Sequence, residues 1–341
     1  MNLSNYNYEL PADLIAIEPP KVRGTSKLLF LEHRKNLIID SNYCDIASFL
    51  NPGDTIVLND TRVIKARLHA QKENGIKREL VLLEKHSFDN DWHRHRIMYR
   101  RKLNVGEKLT IGDANLIVES IEGDGLAIIR SDKDLLELTD KYGEVPLPPY
   151  LHRDAKPLDI ERYQTIWAKD KGSVAAPTAS LNMTDEILDK LRQKGVNIVY
   201  LTLHVGLGTF MPIRVDDLKD HKMHQEYFMI PENTVKVIQD TIKKGSKVIA
   251  IGTTVARTLE YVNNKLIQTP KDLFGEADIF IYPGYKFKII NGLLTNFHAP
   301  KSTVLMLTAA FADWDSLMIA YDHAKDGGYK FLSYGDSMLI L

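Results

Sequence analysis

The sequence predicts an α/β protein in which a mostly parallel-sheet α/β domain is interrupted by a small, inserted antiparallel β-barrel. Three observations carry this prediction. After "VPLPPYL", segments with helical spacing alternate with short apolar strands, as a buried parallel sheet requires. Between Arg62 and Val145 the chain instead runs through short β-rich stretches separated by Gly, Asn and Asp. A length of 341 residues also exceeds what one hydrophobic core commonly serves.

The elements follow in order. Residues 1–61 read as mixed structure that joins the later α/β part, residues 62–145 as the barrel, and residues 146–341 as the rest of the α/β domain. "SNYCDIASFL" reads as the start of an amphipathic helix with Cys44 packed inward. The runs "TIVLND", "ELVLLEK", "RHRIMYR", "EKLTIG", "NLIVES" and "LAIIRS" are the strands of the barrel region. The prolines of "VPLPPYL" read as a rigid linker. "DEILDKLRQKG" and "ENTVKVIQDTIKKG" are helices ending on glycine, each followed by a strand, "NIVYLTL" and "KVIAIG". "ADIFIY" and "IINGLLTNF" add strands, and "STVLMLTAAFA" and "SLMIAYDHAKDGG" add helices.

Composition narrows the function classes. With 44% hydrophobic and 26% charged residues, the chain is neither disordered nor fibrous, and no apolar run reaches the ~20 residues a bilayer demands. The lone Cys44 makes no internal disulfide and rules out a cysteine zinc site. With no leader-like pattern at the N-terminus, a cytoplasmic location is expected. Net charge is −1, so indiscriminate coating of nucleic acid is not expected. The charge is segregated, however: Arg62–Lys102 holds twelve Lys/Arg against five Asp/Glu, and Leu103–Val145 four against ten.

Ligands of open α/β sheets gather at the carboxyl ends of strands, and three unusual loops fall there: "TLHVGLGTF", "IGTTVARTLE" and "TNFHAPKST". The "GLG" turn lacks the third glycine of a dinucleotide loop, and Met211-Pro212 stands where its helix would open. Gly206 and Gly208 either form an ordinary tight turn or let a ligand approach the backbone. Thr253 and Thr254 start a helix, where free amides favour an anion, and Arg257 adds a fork one turn on. His221 and His224, spaced by three with Glu226 near, suit acid–base or polar binding work better than a metal, and no metal site is expected. Asn296, His298, Lys301 and Ser302 crowd the end of an apolar strand, and Tyr334 and Asp336 repeat that pattern in "SYGDSM". In "NDTRVIKAR", Asp60, Arg62, Lys65 and Arg67 form either a hinge-region ion network or a phosphate-contacting strand face.

Ten motifs in order carry a family resemblance: "ELPADLIA", "NPGDTIVLNDTRVIKARL", "VPLPPYL", "ERYQTIWA", "GSVAAPTASL", "TLHVGLGTF", "HKMHQEY", "VIAIGTTVARTLE", "TNFHAPKSTVLML" and "YGDSML". From about residue 8 to 340 the chain resembles the S-adenosylmethionine:tRNA ribosyltransferase-isomerases of queuosine biosynthesis. The resemblance implies an α/β domain interrupted by a β-barrel. It also implies a reaction in which the ribosyl part of S-adenosylmethionine moves onto 7-aminomethyl-7-deazaguanine (preQ1) at the tRNA wobble position, giving epoxyqueuosine-tRNA, adenine and methionine. S-adenosylmethionine is then a consumed co-substrate and not a cofactor. The expected partners are preQ1-bearing tRNA and no membrane, and the expected state is a monomer or weak dimer.

The chain departs from the family pattern "PTAGLHFT" with "PTASLNMT": Ser180 replaces glycine and Asn182 replaces histidine. Asparagine neither gives nor takes a proton at neutral pH. Lys27 and Lys65 are milder departures, from arginine and proline. His204, His224 and Asp336 are the candidates for proton transfer, with Glu226 as orienter. Thr254 and Arg257 are assigned to the methionine carboxylate, and Asn296, His298 and Lys301 to ribose or adenine. Asp60, Arg62, Thr178, Gly206, Gly208, Thr209, Ser302 and Tyr334 complete the substrate-binding set. Two alternatives stand beside this: an RNA methyltransferase using S-adenosylmethionine, and a tRNA-binding protein without turnover.

Overall fold

The computed structural model describes residues 2–35, 37–86, 91–206, 213 and 215–341. In chain order the first strands are β1 (Lys27–Glu32), β2 (Leu37–Asn42), β3 (Thr55–Asn59) and β4 (Thr61–Val63). Six more, β5 (Arg67–Lys72), β6 (Lys77–Leu82), β7 (Arg94–Tyr99), β8 (Lys108–Ile111), β9 (Ala114–Gly123) and β10 (Leu126–Ser131), precede helix α1 (Leu135–Tyr142) and helix α2 (Pro157–Arg162). The remainder is β11 (Asp170–Ser173), α3 (Asp185–Gln193), β12 (Asn197–Leu203), β13 (Glu226–Ile230), α4 (Glu232–Lys243), β14 (Val248–Ile251), α5 (Thr253–Tyr261), α6 (Asn263–Gln268), β15 (Leu273–Ala277), β16 (Gly292–Asn296), α7 (Thr303–Ala312), α8 (Trp314–Asp326) and β17 (Ser337–Ile340).

Nine strands form one sheet in the order β15-β13-β12-β3-β14-β16-β17-β1-β2. Parallel pairing joins the central four, β12-β3-β14-β16, and also β17 with β1. The other neighbours are antiparallel, so the sheet is mixed and its parallel character is concentrated at the centre. The central strands "TIVLN", "VIAI" and "GLLTN" are buried at every position because both faces are covered. Alternate residues supply the two layers. Val57, Leu201, Ala250 and Leu293 face a core shared with α4, α5, α7 and α8. Ile56, Leu58, Ile249 and Leu294 face α3 and the Tyr43–Phe49 segment.

Thr55–Asn59, which reads like its barrel neighbours, is the middle of this sheet. "ADIFIY" is not a strand; the pairing lies just upstream, in β15. Tyr43–Phe49 is a 3₁₀ helix, and Cys44 packs partly buried beside it. The proline-rich stretch is not a free linker, because Val145, Leu147 and Leu151 are buried with Tyr163, Ala176 and Tyr334. Helix α7 is apolar nearly all round and correspondingly buried, meeting α8 at a 110° bend. Among the described residues no single helix is long and apolar enough to cross a membrane.

Strands β10-β7-β6-β5-β8-β9 close into an antiparallel barrel filled by Leu68, Leu80, Ile97, Leu116 and Ile129, with Leu135 and Leu138 of α1 in the same core. Its outer surface explains the charge segregation. Arg94 and Arg130 both reach Glu119, at 2.7 and 2.5 Å, and Arg96 reaches Glu122 at 2.6 Å. The basic first half thus folds against the acidic second half, and Lys72, Arg94 and Arg96 of the basic block are paired with carboxylates of the acidic one. Strand β4 pairs in parallel with β11, tying the barrel's entry to the chain that leaves it.

Candidate active site

A cavity of about 180 Å³ lies at the carboxyl ends of β12, β14 and β16, walled by Val205, Gly252–Thr254, Asn296, His298–Pro300 and Ser302 from the three loops. This is where an α/β sheet offers its loops and helix N-termini to ligands. A fourth wall is the segment Ala175–Ala179, and a fifth joins Tyr150 to Leu332 and Ser333. None of the described lining residues carries a formal charge.

Helix α5 opens directly into the cavity. Its N-cap, Gly252, has φ 98°, a conformation glycine adopts without a Cβ penalty, and supplies no side-chain cap. The first amides of the helix therefore have no intrahelical partner, and the positive end of its dipole points at the ligand space. The Thr254 hydroxyl is buried there with no hydrogen-bond partner among the described residues. Opposite, Thr178 Oγ1 donates to Asn296 Oδ1 at 2.8 Å, and Asn296 Nδ2 donates to the Asp336 carbonyl at 3.3 Å. Ser302 caps α7, accepting from the Leu305 amide at 3.2 Å.

His298 is the one histidine among the described lining residues. Its Nε2 lies 2.7 Å from Thr295 Oγ1, its amide donates to Tyr321 Oη at 3.0 Å, and its carbonyl accepts from the Tyr8 hydroxyl. Burial pulls its pKa down to about 3, so the ring is neutral throughout the physiological range.

Of the residues expected at the site, Thr178, Thr254, Asn296, His298 and Ser302 come together here; the other described ones do not line the cavity. His204 is 1% exposed and does not line the cavity. Its Nδ1 lies 2.9 Å from Thr61 Oγ1, and its ring covers Gly172 so closely that a Cβ there would sit 2.7 Å from Nε2. Burial, aided by Lys85 and His86, lowers its pKa to about 4. His204 is thus packed at the junction with the barrel, outside the cavity lining. Asp336 is also structural: its two oxygens accept the Lys27 and Lys330 amides, each at 2.7 Å. Tyr334 donates to Asp159 Oδ1 at 2.7 Å.

Glu226 does not orient His224. It accepts the Gly206 amide at 3.0 Å on one oxygen and Arg257 Nη1 at 2.5 Å on the other. Arg257 is therefore engaged by a protein carboxylate and does not line the cavity, although it borders a small recess with Thr253 and Thr254. At Gly206 the Glu84 carboxylate comes so close that a Cβ would sit 2.4 Å from it. His224 and His221 lie on an extended segment, in a separate cleft. Lys301, exposed with φ 56°, turns the loop before α7. Asp60 and Arg62 lie at the barrel entry: Thr202 donates to Asp60 at 2.6 Å, and Arg62 reaches the Ala168 carbonyl at 3.4 Å. Gly208 and Thr209 lie outside the described residues. Tyr150, Ala175–Pro177 and Ser333 are lining residues that the residue-by-residue reading passed over, although their motifs were visible.

Comparison with known proteins decides the lineage. The family model described as queuosine biosynthesis protein matches residues 3–340. The chain belongs to that family. Within the queuosine biosynthesis family, similar relatives named S-adenosylmethionine:tRNA ribosyltransferase-isomerase come from Pelodictyon phaeoclathratiforme, at 52% identity, and Chlorobium phaeobacteroides, at 50%, each over the full length of both chains. A crystal structure of the S-adenosylmethionine tRNA ribosyltransferase of Thermotoga maritima is similar at 32% identity and a TM-score of 0.57, covering 98% of this chain and 99% of that one. The family's sheet-plus-barrel architecture thus extends to this chain.

Proposed function

We propose that this chain is an S-adenosylmethionine:tRNA ribosyltransferase-isomerase that acts on preQ1 at the tRNA wobble position and releases adenine and methionine. The observation that carries the site assignment is the uncharged cavity at the sheet's carboxyl edge with an uncapped helix N-terminus opening into it. A sulfonium nucleoside needs such surroundings: no nearby cation to repel its sulfur, and one polarised end for its carboxylate.

The α5 amides and the Thr254 hydroxyl take the methionine carboxylate, and the Thr178–Asn296 pair takes ribose or adenine hydrogen-bonding groups. Neutral His298 offers ring nitrogens without adding positive charge beside the sulfonium. In the reaction, the sulfonium acidifies the adjacent ribose carbon. Removal of that proton opens the ring and expels adenine. The preQ1 amine then attacks the ribosyl skeleton, and closure of the epoxide releases neutral methionine.

Incubating the protein with S-adenosylmethionine and preQ1-bearing tRNA is the test. Adenine should appear only when the tRNA is present; folded protein that releases none above the tRNA-free control refutes the reading.

A further inference from the structure

We infer that the N-termini of α5 and α7 together hold the carboxylate of S-adenosylmethionine, and that Thr303 is a binding residue supplied from the α7 side. This rests on the S-adenosylmethionine reading above and extends the carboxylate seat from one helix to two.

A small recess adjoins the nucleoside cavity where the two helices begin. Thr253, Thr254 and Val304 line both spaces, and Thr303 lines the recess alone. The Thr303 and Thr254 side chains belong to residues only 5% and 7% exposed, and neither hydroxyl has a hydrogen-bond partner among the described residues. A buried hydroxyl left without a partner is costly, so two of them on one recess mark a place where a ligand atom completes the bonding.

The backbone adds to this. Gly252 gives α5 no side-chain cap, and Ser302 accepts from the Leu305 amide alone at 3.2 Å. The opening amides of both helices, at Thr253 and Thr254 and at Thr303 and Val304, therefore have no intrahelical partner. Two positive dipole ends beside one recess favour an anion. No carboxylate stands among the described lining residues to repel it. Arg257, the cation that lines the recess, is committed to the protein: Nη1 donates to Glu226 at 2.5 Å, Nε to the Ile279 carbonyl at 3.3 Å and Nη2 to the Ala277 carbonyl at 3.4 Å.

Size and polarity select which anion. The recess measures about 10 Å³ and is otherwise walled by apolar side chains, among them Ile279, Phe280, Ile281 and Leu307. That is room for about one water-sized group. One carboxylate oxygen at the end of an aliphatic tail enters it while the nucleoside stays in the cavity. A phosphate held in an RNA chain by two ester links is too large.

The test titrates S-adenosylmethionine and its decarboxylated form, which keeps the sulfonium and the amine, into the wild type, Thr303→Val and Thr303→Ser by calorimetry without tRNA. The wild type should prefer S-adenosylmethionine. Thr303→Val should lose about tenfold in affinity for S-adenosylmethionine and less than about twofold for the decarboxylated form, and Thr303→Ser should recover most of the loss. Because valine replaces an unpartnered hydroxyl, the unliganded variant should melt no lower than the wild type, which a hydroxyl needed for the fold would not allow. Thr303→Ala removes the hydroxyl without adding a methyl group and keeps the test open if the valine variant does not fold. Equal losses for both ligands, or no loss for either in a folded variant, overturn this inference alone; a folded wild type that binds neither ligand overturns the reading it rests on.

Discussion

Arg257 and Glu226 meet at 2.5 Å with only 6% and 3% of their side chains exposed, a buried ion pair. The pair ties α5 to β13 and, through the Gly206 amide, to the loop after β12. Glu226→Gln leaves a buried guanidinium uncompensated and should cost about 3–5 kcal/mol. Urea denaturation measures this; a variant as stable as the wild type would show the pair to be idle.

Thr254 presents the opposite case, a buried hydroxyl with no hydrogen-bond partner among the described residues. Thr254→Val should leave the fold intact and weaken S-adenosylmethionine binding by about 1–3 kcal/mol, roughly 5- to 150-fold. Calorimetric titration reads the loss, and Thr254→Ser should recover most of it. Equal affinity in the valine variant would remove the hydroxyl from the ligand.

The fold was legible where pattern and burial coincide. Helices α3 and α4 follow the period of their apolar residues, and helix α7 and strands β14 and β16 show as continuous apolar runs. The mixed order of the sheet was not legible, since it depends on the chain returning through β17 and β1 beside β16. The site divides along the same line. Thr254, Asn296 and His298 were visible because polar residues at strand ends have few structural uses. The placement of His204 and Arg257 was not legible because residue type says nothing of direction: one turns onto Gly172 and the other onto Glu226. The pairing between the barrel's charge blocks was not legible either, since ion pairs across strands leave no trace in a linear count.

His204 carries a pH signature. Its folded pKa of about 4 lies below the usual 6.5, so its neutral form is the folded one and its contribution to stability is present above pH 6.5. That contribution falls as acid is added, by about 2 kcal/mol at pH 5. Urea midpoints between pH 7 and 5 should fall more steeply for the wild type than for His204→Gln. Identical slopes would contradict the buried, neutral assignment.

Asp60 runs the other way. Burial, opposed by the Thr202 hydroxyl and reinforced by Asp170, pushes its pKa up to about 6 from 3.8. The protonated form is favoured in the folded protein, and stability is lost as pH rises through about 6. Asp60→Asn keeps the Thr202 bond and removes the charge, so its melting temperature should exceed that of the wild type at pH 8 by more than at pH 5. A variant less stable than the wild type at pH 8 would show that the carboxylate is needed ionised.

Ribosyl transfer itself is tested most directly by the fate of label. Two preparations of S-adenosylmethionine, one labelled in the ribose and one in the methyl group, are each incubated with the protein and preQ1-bearing tRNA. Ribose label should enter the RNA in step with adenine release, and methyl label should leave entirely in methionine. Methyl label in the RNA, or no transfer of ribose label by folded protein, would contradict the account.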